Sequence, residues 1–290
     1  MSATAEMAFV KAHGLGNDFL LLEAAAVDDP ARLARQICAR HTGVGADGIV
    51  LLGPAEDADA SFRIFNADGS EAELSGNAMR CAVAWLAAER GLAPGARLRL
   101  ATRVGLRTHE LLERRGQRFV FRSEIGRPVF EPARIPFAPP APVPVPAVEL
   151  PLEVAGRRLT ATVLWMGNPQ CVLLVDDLAE LDWQRLGPAV ERHPWFPERI
   201  NASFGCVVAA DRVVARFWER GVGPTQASGT GSCAVAVAAA LAGRTGRRVR
   251  VETELGELAV HWRDDDVVEL VGPAELVARG TFWRPEREAH

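Results

Sequence analysis

No two cysteines in this chain stand in a C-x-x-C pair. The five present, Cys38, Cys81, Cys171, Cys206 and Cys233, are scattered and odd in number. That spacing argues against a disulfide framework or a zinc site, and for reduced thiols in a cytoplasm. Long hydrophobic runs are missing too: no stretch of roughly 18 apolar residues occurs, so no membrane-spanning helix is expected. The opening residues, Met1 to Met7, lack the basic and apolar segments of a secretory leader. Nor is there an excess of charge of one sign. The formal net charge is -4 and the pI about 5.9, which leaves no electrostatic footprint for nucleic acid. What remains is a soluble cytoplasmic protein.

The chain itself has 290 residues, 48% hydrophobic and 24% charged, enough for two domains with ordinary cores. Short, often apolar runs read as strands: Phe19 to Glu23, Gly48 to Leu52, Phe62 to Phe65, Arg118 to Arg122, Leu159 to Trp165, Cys171 to Val175, Gly205 to Ala209 and Val213 to Glu219. Helical patterns are fewer: Pro30 to Arg40, Asn77 to Arg90, Asp182 to Arg192 and Thr230 to Ala242. Many strands with few helices predict an α+β fold, with helices packed against curled, largely antiparallel sheets. Between Arg127 and Ala147 prolines recur from Pro128 to Pro146. Such density cannot sustain a helix or a central strand, and reads as an extended connection between domains. The alternative is an irregular edge segment inside one domain.

The two sides of this stretch resemble each other. Gly16-Asn17 returns as Gly167-Asn168, and Ser75-Gly76, opening an alanine-rich helix, returns as Ser228-Gly229. Asn168 follows Asn17 by 151 residues and Ser228 follows Ser75 by 153. Two pairs in the same order suggest a duplicated domain in which Ser75 and Ser228 are equivalent positions. A helix start offers unpaired backbone N–H groups and the positive end of the helix dipole, so it suits a carboxylate and eases loss of an acidic proton. Serine is also a favoured N-cap, and capping alone would account for either residue. The glycine beside each is harder to explain by capping, since it weakens a helix without supplying a side chain; it makes sense where a ligand approaches the backbone. Cys81 and Cys233 fall inside these helices and read as packing residues.

Five segments, His13 to Phe19 (HGLGNDF), Phe65 to Ser70 (FNADGS), Met166 to Pro169 (MGNP), Phe196 to Asn201 (FPERIN) and Glu219 to Thr225 (ERGVGPT), resemble successive signatures of the diaminopimelate epimerase family, in that family's order and across nearly the whole chain. The resemblance implies two similar domains, each a curled, mostly antiparallel sheet around a central helix, with the active site in the cleft between them. Residues 1–127 with 278–290 would form the first domain and 128–277 the second. It also implies an isomerase that uses neither cofactor nor metal, interconverting LL- and meso-diaminopimelate for lysine and peptidoglycan precursors, with homodimers common among such proteins. Two acid/base groups on opposite sides of the α-carbon remove and deliver its proton. In the family these are cysteines, each at a helix start; the matching positions here are Ser75 and Ser228.

By the same resemblance Asn17, Asn66, Asn168, Asn201, Glu219 and Arg220 hold the substrate. Arg220 takes the distal carboxylate, while backbone N–H groups of Gly76, Asn77, Gly229 and Thr230 take the reacting one. The chain departs from the family elsewhere as well. Gln170 stands where histidine usually follows Gly-Asn-Pro, and Gly48 where some members carry glutamine. A hydroxyl is a weak base at its free pKa. The helix dipole supplies up to about 2 kcal/mol, one or two pKa units at about 1.36 kcal/mol each, so serine needs a neighbouring acceptor such as water or Glu219. Four readings stay open: an epimerase or racemase of diaminopimelate or a close relative, an eliminating or dehydrating enzyme, a binding protein that kept the pocket without turnover, and a deliberate exchange of both cysteines for serine. Asp18, Asp47 and Asp68 read as structural, and His13 as bonding within its own loop.

Overall fold

A computed structural model describes residues 6–283. The chain forms two compact units, one built from residues up to Phe121 together with those from Pro273 onward, the other from Arg122–Gly272. In the first unit the elements run β1 (Glu6–Gly14), β2 (Asn17–Glu23), α1 (Pro30–Ile37), β3 (Gly48–Gly53), β4 (Ala60–Asn66), β5 (Glu71–Ala72), α2 (Gly76–Glu89), β6 (Arg97–Thr102) and β7 (Gly105–Arg115), followed by β8 (Arg118–Gly126). In the second they run β9 (Ala147–Val154), β10 (Arg157–Trp165), β11 (Pro169–Val175), α3 (Trp183–Glu191), β12 (Asn201–Ala209), β13 (Arg212–Glu219), β14 (Gly223–Thr225), α4 (Gly229–Leu241), β15 (Arg248–Thr253) and β16 (Gly256–Trp262), followed by β17 (Val268–Trp283).

The pairing scheme repeats. In the first unit β1–β2, β3–β4, β4–β5 and β6–β7 are antiparallel, while β2–β3 and β4–β6 are parallel. In the second, β10–β11, β12–β13, β13–β14 and β15–β16 are antiparallel, while β11–β12 and β13–β15 are parallel. Helices α2 and α4 occupy the same place in the two schemes, so the duplication suggested by two short sequence matches extends to the whole order of elements.

Each unit wraps its sheet against one apolar helix. From Gly229 to Ala239 every residue of α4 is buried, and the helix packs against β10, β11, β12, β13, β15 and β16. A helix apolar all round is stable only inside a core. Helix α2 is buried from Gly76 to Ala84 and packs on β1, β2, β3 and β4. The shorter α1 and α3 bury one face only, Leu33, Ala34 and Ile37 in the first and Leu186, Gly187, Val190 and Glu191 in the second. Each is capped by an aspartate, Asp29 accepting from the Arg32 N–H and Asp182 from the Arg185 N–H. All five cysteines carry free thiols, and Cys81 and Cys233 are fully buried, as packing residues should be.

The proline-rich stretch lies inside the second unit, so it is not a connection between the two. Its apolar residues explain this. Ile135, Phe137 and Ala147 are buried in one cluster with Leu152, Leu186 and Phe196, and Phe137 stacks on Phe196 at a centroid distance of 5.7 Å. The prolines limit its pairing to a single bridge, Val129 with Trp165, before β9 begins; the apolar residues between them hold it to the core.

Candidate functional site

In the first unit the candidate residues gather where β1 and β2 turn beside the start of α2. Ser75 has extended backbone (φ -137, ψ 121), and its Oγ accepts from the Ala78 N–H at 3.3 Å. It is an N-cap in geometry, with the Met79 N–H bonded to its carbonyl at 3.0 Å. Asn77 is buried, and its side chain donates to Asn17 Oδ1 at 3.2 Å. Arg80 donates from Nη2 to Asn77 Oδ1 at 2.5 Å and from Nε to the Pro273 carbonyl at 3.1 Å. Asn17 in turn donates to Asp47 Oδ2 at 2.8 Å. Asn17 and Asn77 are thus brought together, with Arg80 and Asp47 as their supports.

Behind this chain lies an ionic cluster. Lys11 pairs with Asp18 at 2.9 Å, and Arg40 bridges Asp18 at 3.2 Å and Asp47 at 2.7 Å. Burial works to raise the Asp18 carboxyl, but Lys11 and Arg40 outweigh it and hold the group below the usual carboxylate range. Asp18 and Asp47 therefore brace the β2 start, as read from sequence, and Asp68 accepts from Ser70 within its own turn. His13 Nδ1 accepts from the Gly16 N–H at 3.3 Å, inside its loop. Asn66 is spent on a local turn, donating to Ser70 Oγ at 2.9 Å, and no side-chain bond joins it to Asn17 or Asn77. Gly48 is required where it stands: a Cβ there would lie 2.5 Å from the Phe65 carbonyl.

The second unit repeats the helix start with different neighbours. Ser228 has the same extended backbone (φ -132, ψ 124), and its Oγ accepts from the Gly231 N–H at 3.2 Å. Buried Gln170 donates from Nε2 to Asn168 Oδ1 at 2.7 Å and to Thr230 Oγ1 at 3.4 Å. An amide cannot take up or release a proton near neutral pH, but here it aligns Asn168 and Thr230. Asn201 uses both ends of its side chain, Nδ2 to the Pro169 carbonyl at 2.8 Å and Oδ1 from the Arg220 N–H at 2.8 Å. It therefore joins the β11 start to the β13–β14 turn. Arg220 reaches the Glu198 carbonyl through Nη1 at 3.4 Å.

Helix geometry leaves the first-turn N–H groups of Gly76, Gly229 and Thr230 outside the intrahelical ladder, where they can receive an anion. Among the described residues, neither serine hydroxyl is hydrogen-bonded to a carboxylate or an imidazole. Four of the five cysteines are poor substitutes as a base. Burial pushes the Cys38, Cys81 and Cys171 thiols up to about 12, and burial also raises Cys206. Among the described residues no cluster of three His, Cys, Asp or Glu side chains is placed to hold a metal ion. Reading the sequence missed Arg80, Asp47 as a support for Asn17, and Glu191, whose carboxylate meets the β13–β14 turn. Arg80 did leave a signal, as a lone guanidinium in the otherwise apolar and alanine-rich α2.

Comparison with known proteins follows the same outline. The family described as diaminopimelate epimerase matches residues 9–131 and 162–277. A diaminopimelate epimerase of Desulforudis audaxviator is 47% identical over 282 residues, covering 96% of this chain and all of that protein. One of Pelotomaculum thermopropionicum is 45% identical over 280 residues, covering 95% and 99%. Among solved structures, a hydroxyproline epimerase of Agrobacterium vitis superposes with a TM-score of 0.72 at 14% identity, over 99% of this chain and 95% of that one, a likeness of fold alone.

Proposed function

The chain belongs to the diaminopimelate epimerase family, and from that premise we propose that it interconverts LL- and meso-diaminopimelate by proton transfer at the α-carbon. The observation that carries the reading is its near-full-length identity of 45–47% to proteins of that activity, joined to the repeated serine–glycine helix start. Inversion at a carbon requires one group to take the proton from one face and a second to give a proton to the other. The duplicated fold provides one helix start in each unit, at Ser75 and at Ser228. The reacting carboxylate would be received by first-turn N–H groups, those of Gly76 and Asn77 or of Gly229 and Thr230, which also favour the negative charge that develops as the α-proton leaves. Asn17, Asn66, Asn168, Asn201 and Glu219 would position the amino groups, and the Arg220 guanidinium the distal carboxylate.

In each conversion one acid/base group gains the α-proton and the other loses its own to the opposite face, so the pair ends with its protonation exchanged and no net proton consumed. No cofactor takes part in the reaction as proposed. Serine makes the first step slow, because the hydroxyls at Ser75 and Ser228 have only capping partners and the helix dipole to assist them. A cytoplasmic site of action and assembly as a homodimer complete the proposal. They rest on the reduced thiols and on what the family resemblance implies.

Proton NMR of LL-diaminopimelate with the protein in deuterated water tests this directly. Loss of the α-proton signal with growth of the meso isomer is expected. Binding without exchange would replace the reading by that of an amino-acid-binding protein, and a new unsaturated product by that of a lyase.

A further inference from the structure

Helix α3 meets the indole of Trp218 with two residues four positions apart. At Gly187 a Cβ would lie 2.5 to 2.7 Å from Trp218 ring atoms, so the ring rests on bare helix backbone. At Glu191 the carboxylate, whose side chain is 4% exposed, accepts from Trp218 Nε1 through Oε2 at 2.8 Å and from the Gly221 N–H through Oε1 at 3.0 Å. The Arg199 guanidinium stands 3.7 Å from Oε1. A buried carboxylate is costly unless its oxygens are satisfied, and here the donors are supplied by the two residues that flank Glu219 and Arg220. The remaining flank is held by Asn201, whose Oδ1 accepts from the Arg220 N–H.

We propose that Glu191 and Gly187 are positioning residues that set the Glu219–Arg220 turn, and so decide the preference for an amino acid carrying a second, distal carboxylate. The inference rests on the reading of Arg220 given above. With the N–H groups at Arg220 and Gly221 and the indole at Trp218 all anchored, the turn has one backbone course. The guanidinium fork then departs from a fixed point, which bidentate recognition of a carboxylate requires. In Glu191→Gln one carboxylate oxygen becomes an NH2 that cannot accept from either partner, so one anchor is lost with little change of shape. In Gly187→Ala the new methyl group displaces the indole.

NMR titration with LL-diaminopimelate and with L-lysine, which lacks the distal carboxylate, tests the proposal. Glu191→Gln and Gly187→Ala are expected to weaken diaminopimelate binding at least tenfold while leaving L-lysine binding unchanged. Combining Glu191→Gln with Arg220→Ala should cost no more than Arg220→Ala alone, because one residue acts through the other. Equal losses for both ligands, as general damage would give, overturn the proposal, and so do additive losses in the double variant. Amide exchange at Gly221 should quicken at least tenfold in Glu191→Gln, and unchanged exchange removes the anchor itself. If exchange quickens but Arg220→Ala leaves diaminopimelate affinity intact, the reading of Arg220 is what has failed, and the specificity role falls with it.

Discussion

Ser75 and Ser228 show how one residue can satisfy two descriptions. Each caps its helix with good geometry, and each occupies the spot where a proton donor or acceptor would gain most from the helix dipole. Replacing oxygen by sulfur at both positions keeps the size close and lowers the pKa into a workable range. Turnover in Ser75→Cys with Ser228→Cys is therefore expected to rise by about 10²–10⁴-fold, the usual worth of general acid–base catalysis. The α-proton exchange rate is the measurement, and an unchanged rate would mean that the helix starts are not the acid/base positions. Gly69 offers a test of a different kind. It holds φ +87, and a Cβ there would fall 2.2 Å from Arg35 Nη1 and 2.6 Å from the Ala31 carbonyl. Gly69→Ala should destabilise the first unit by about 1–3 kcal/mol in urea unfolding. At this scale the motifs drew attention to Asn17 and Arg220, whose substrate roles belong to the proposal above. The sequence hid residues whose role depends on a partner far along the chain, such as Arg80, bonded to the Pro273 carbonyl, and Glu191, bonded to Trp218.

Among the elements, helices were the most legible. The α2 and α4 ranges differ from their sequence expectation by one residue at each end, because serine, glycine and a run of alanines mark a start and a buried body without ambiguity. Strands β1, β6, β7, β15 and β16 were less visible, since their apolar residues alternate with charges and the short hairpins carry little pattern of their own. Strand β7 also carries a charge-sensitive residue that no motif announced. His109 is fully buried, and burial, with Arg80 and Arg107 nearby, lowers its imidazole to about 3. Well above pH 6.5 the ring is neutral whether the chain is folded or not, so it leaves stability unchanged there. Below that the unfolded ring binds a proton that the buried one refuses, and stability falls until the pH reaches the folded value. From pH 6.5 to 4.5 this one group should cost about 2 kcal/mol. Urea unfolding of His109→Leu across that range should show a shallower decline than the parent protein; equal slopes would mean that His109 titrates normally.

At the scale of the whole molecule, two short sequence repeats gave away a duplication that covers six strand pairings and a central helix in each unit. The boundaries were harder to see. A dense run of prolines looks like a connector, yet Ile135 and Phe137 between them seal the second core. Composition shows what a segment cannot form, not where its few apolar side chains go. The reduced, enclosed state of the cysteines is a property of the whole chain: five free thiols, of which Cys206 is the one not fully enclosed. Titration with a thiol-specific chromophore should count about one reactive group in the native protein and five after denaturation. Two or more fast thiols in the native state would show that the cores open.

The pairing of β1 with β17, from Glu6 opposite Trp283 to His13 opposite Glu275, carries a consequence for how the protein is made. Among the described strands β1 is synthesised first and β17 last, so the β1 edge that pairs with β17 has no partner until the intervening residues have been made. The second unit, continuous from Arg122 to Gly272, can close while the first still lacks its final strand. Among the described strands, the seam that completes the first unit therefore joins its earliest to its latest.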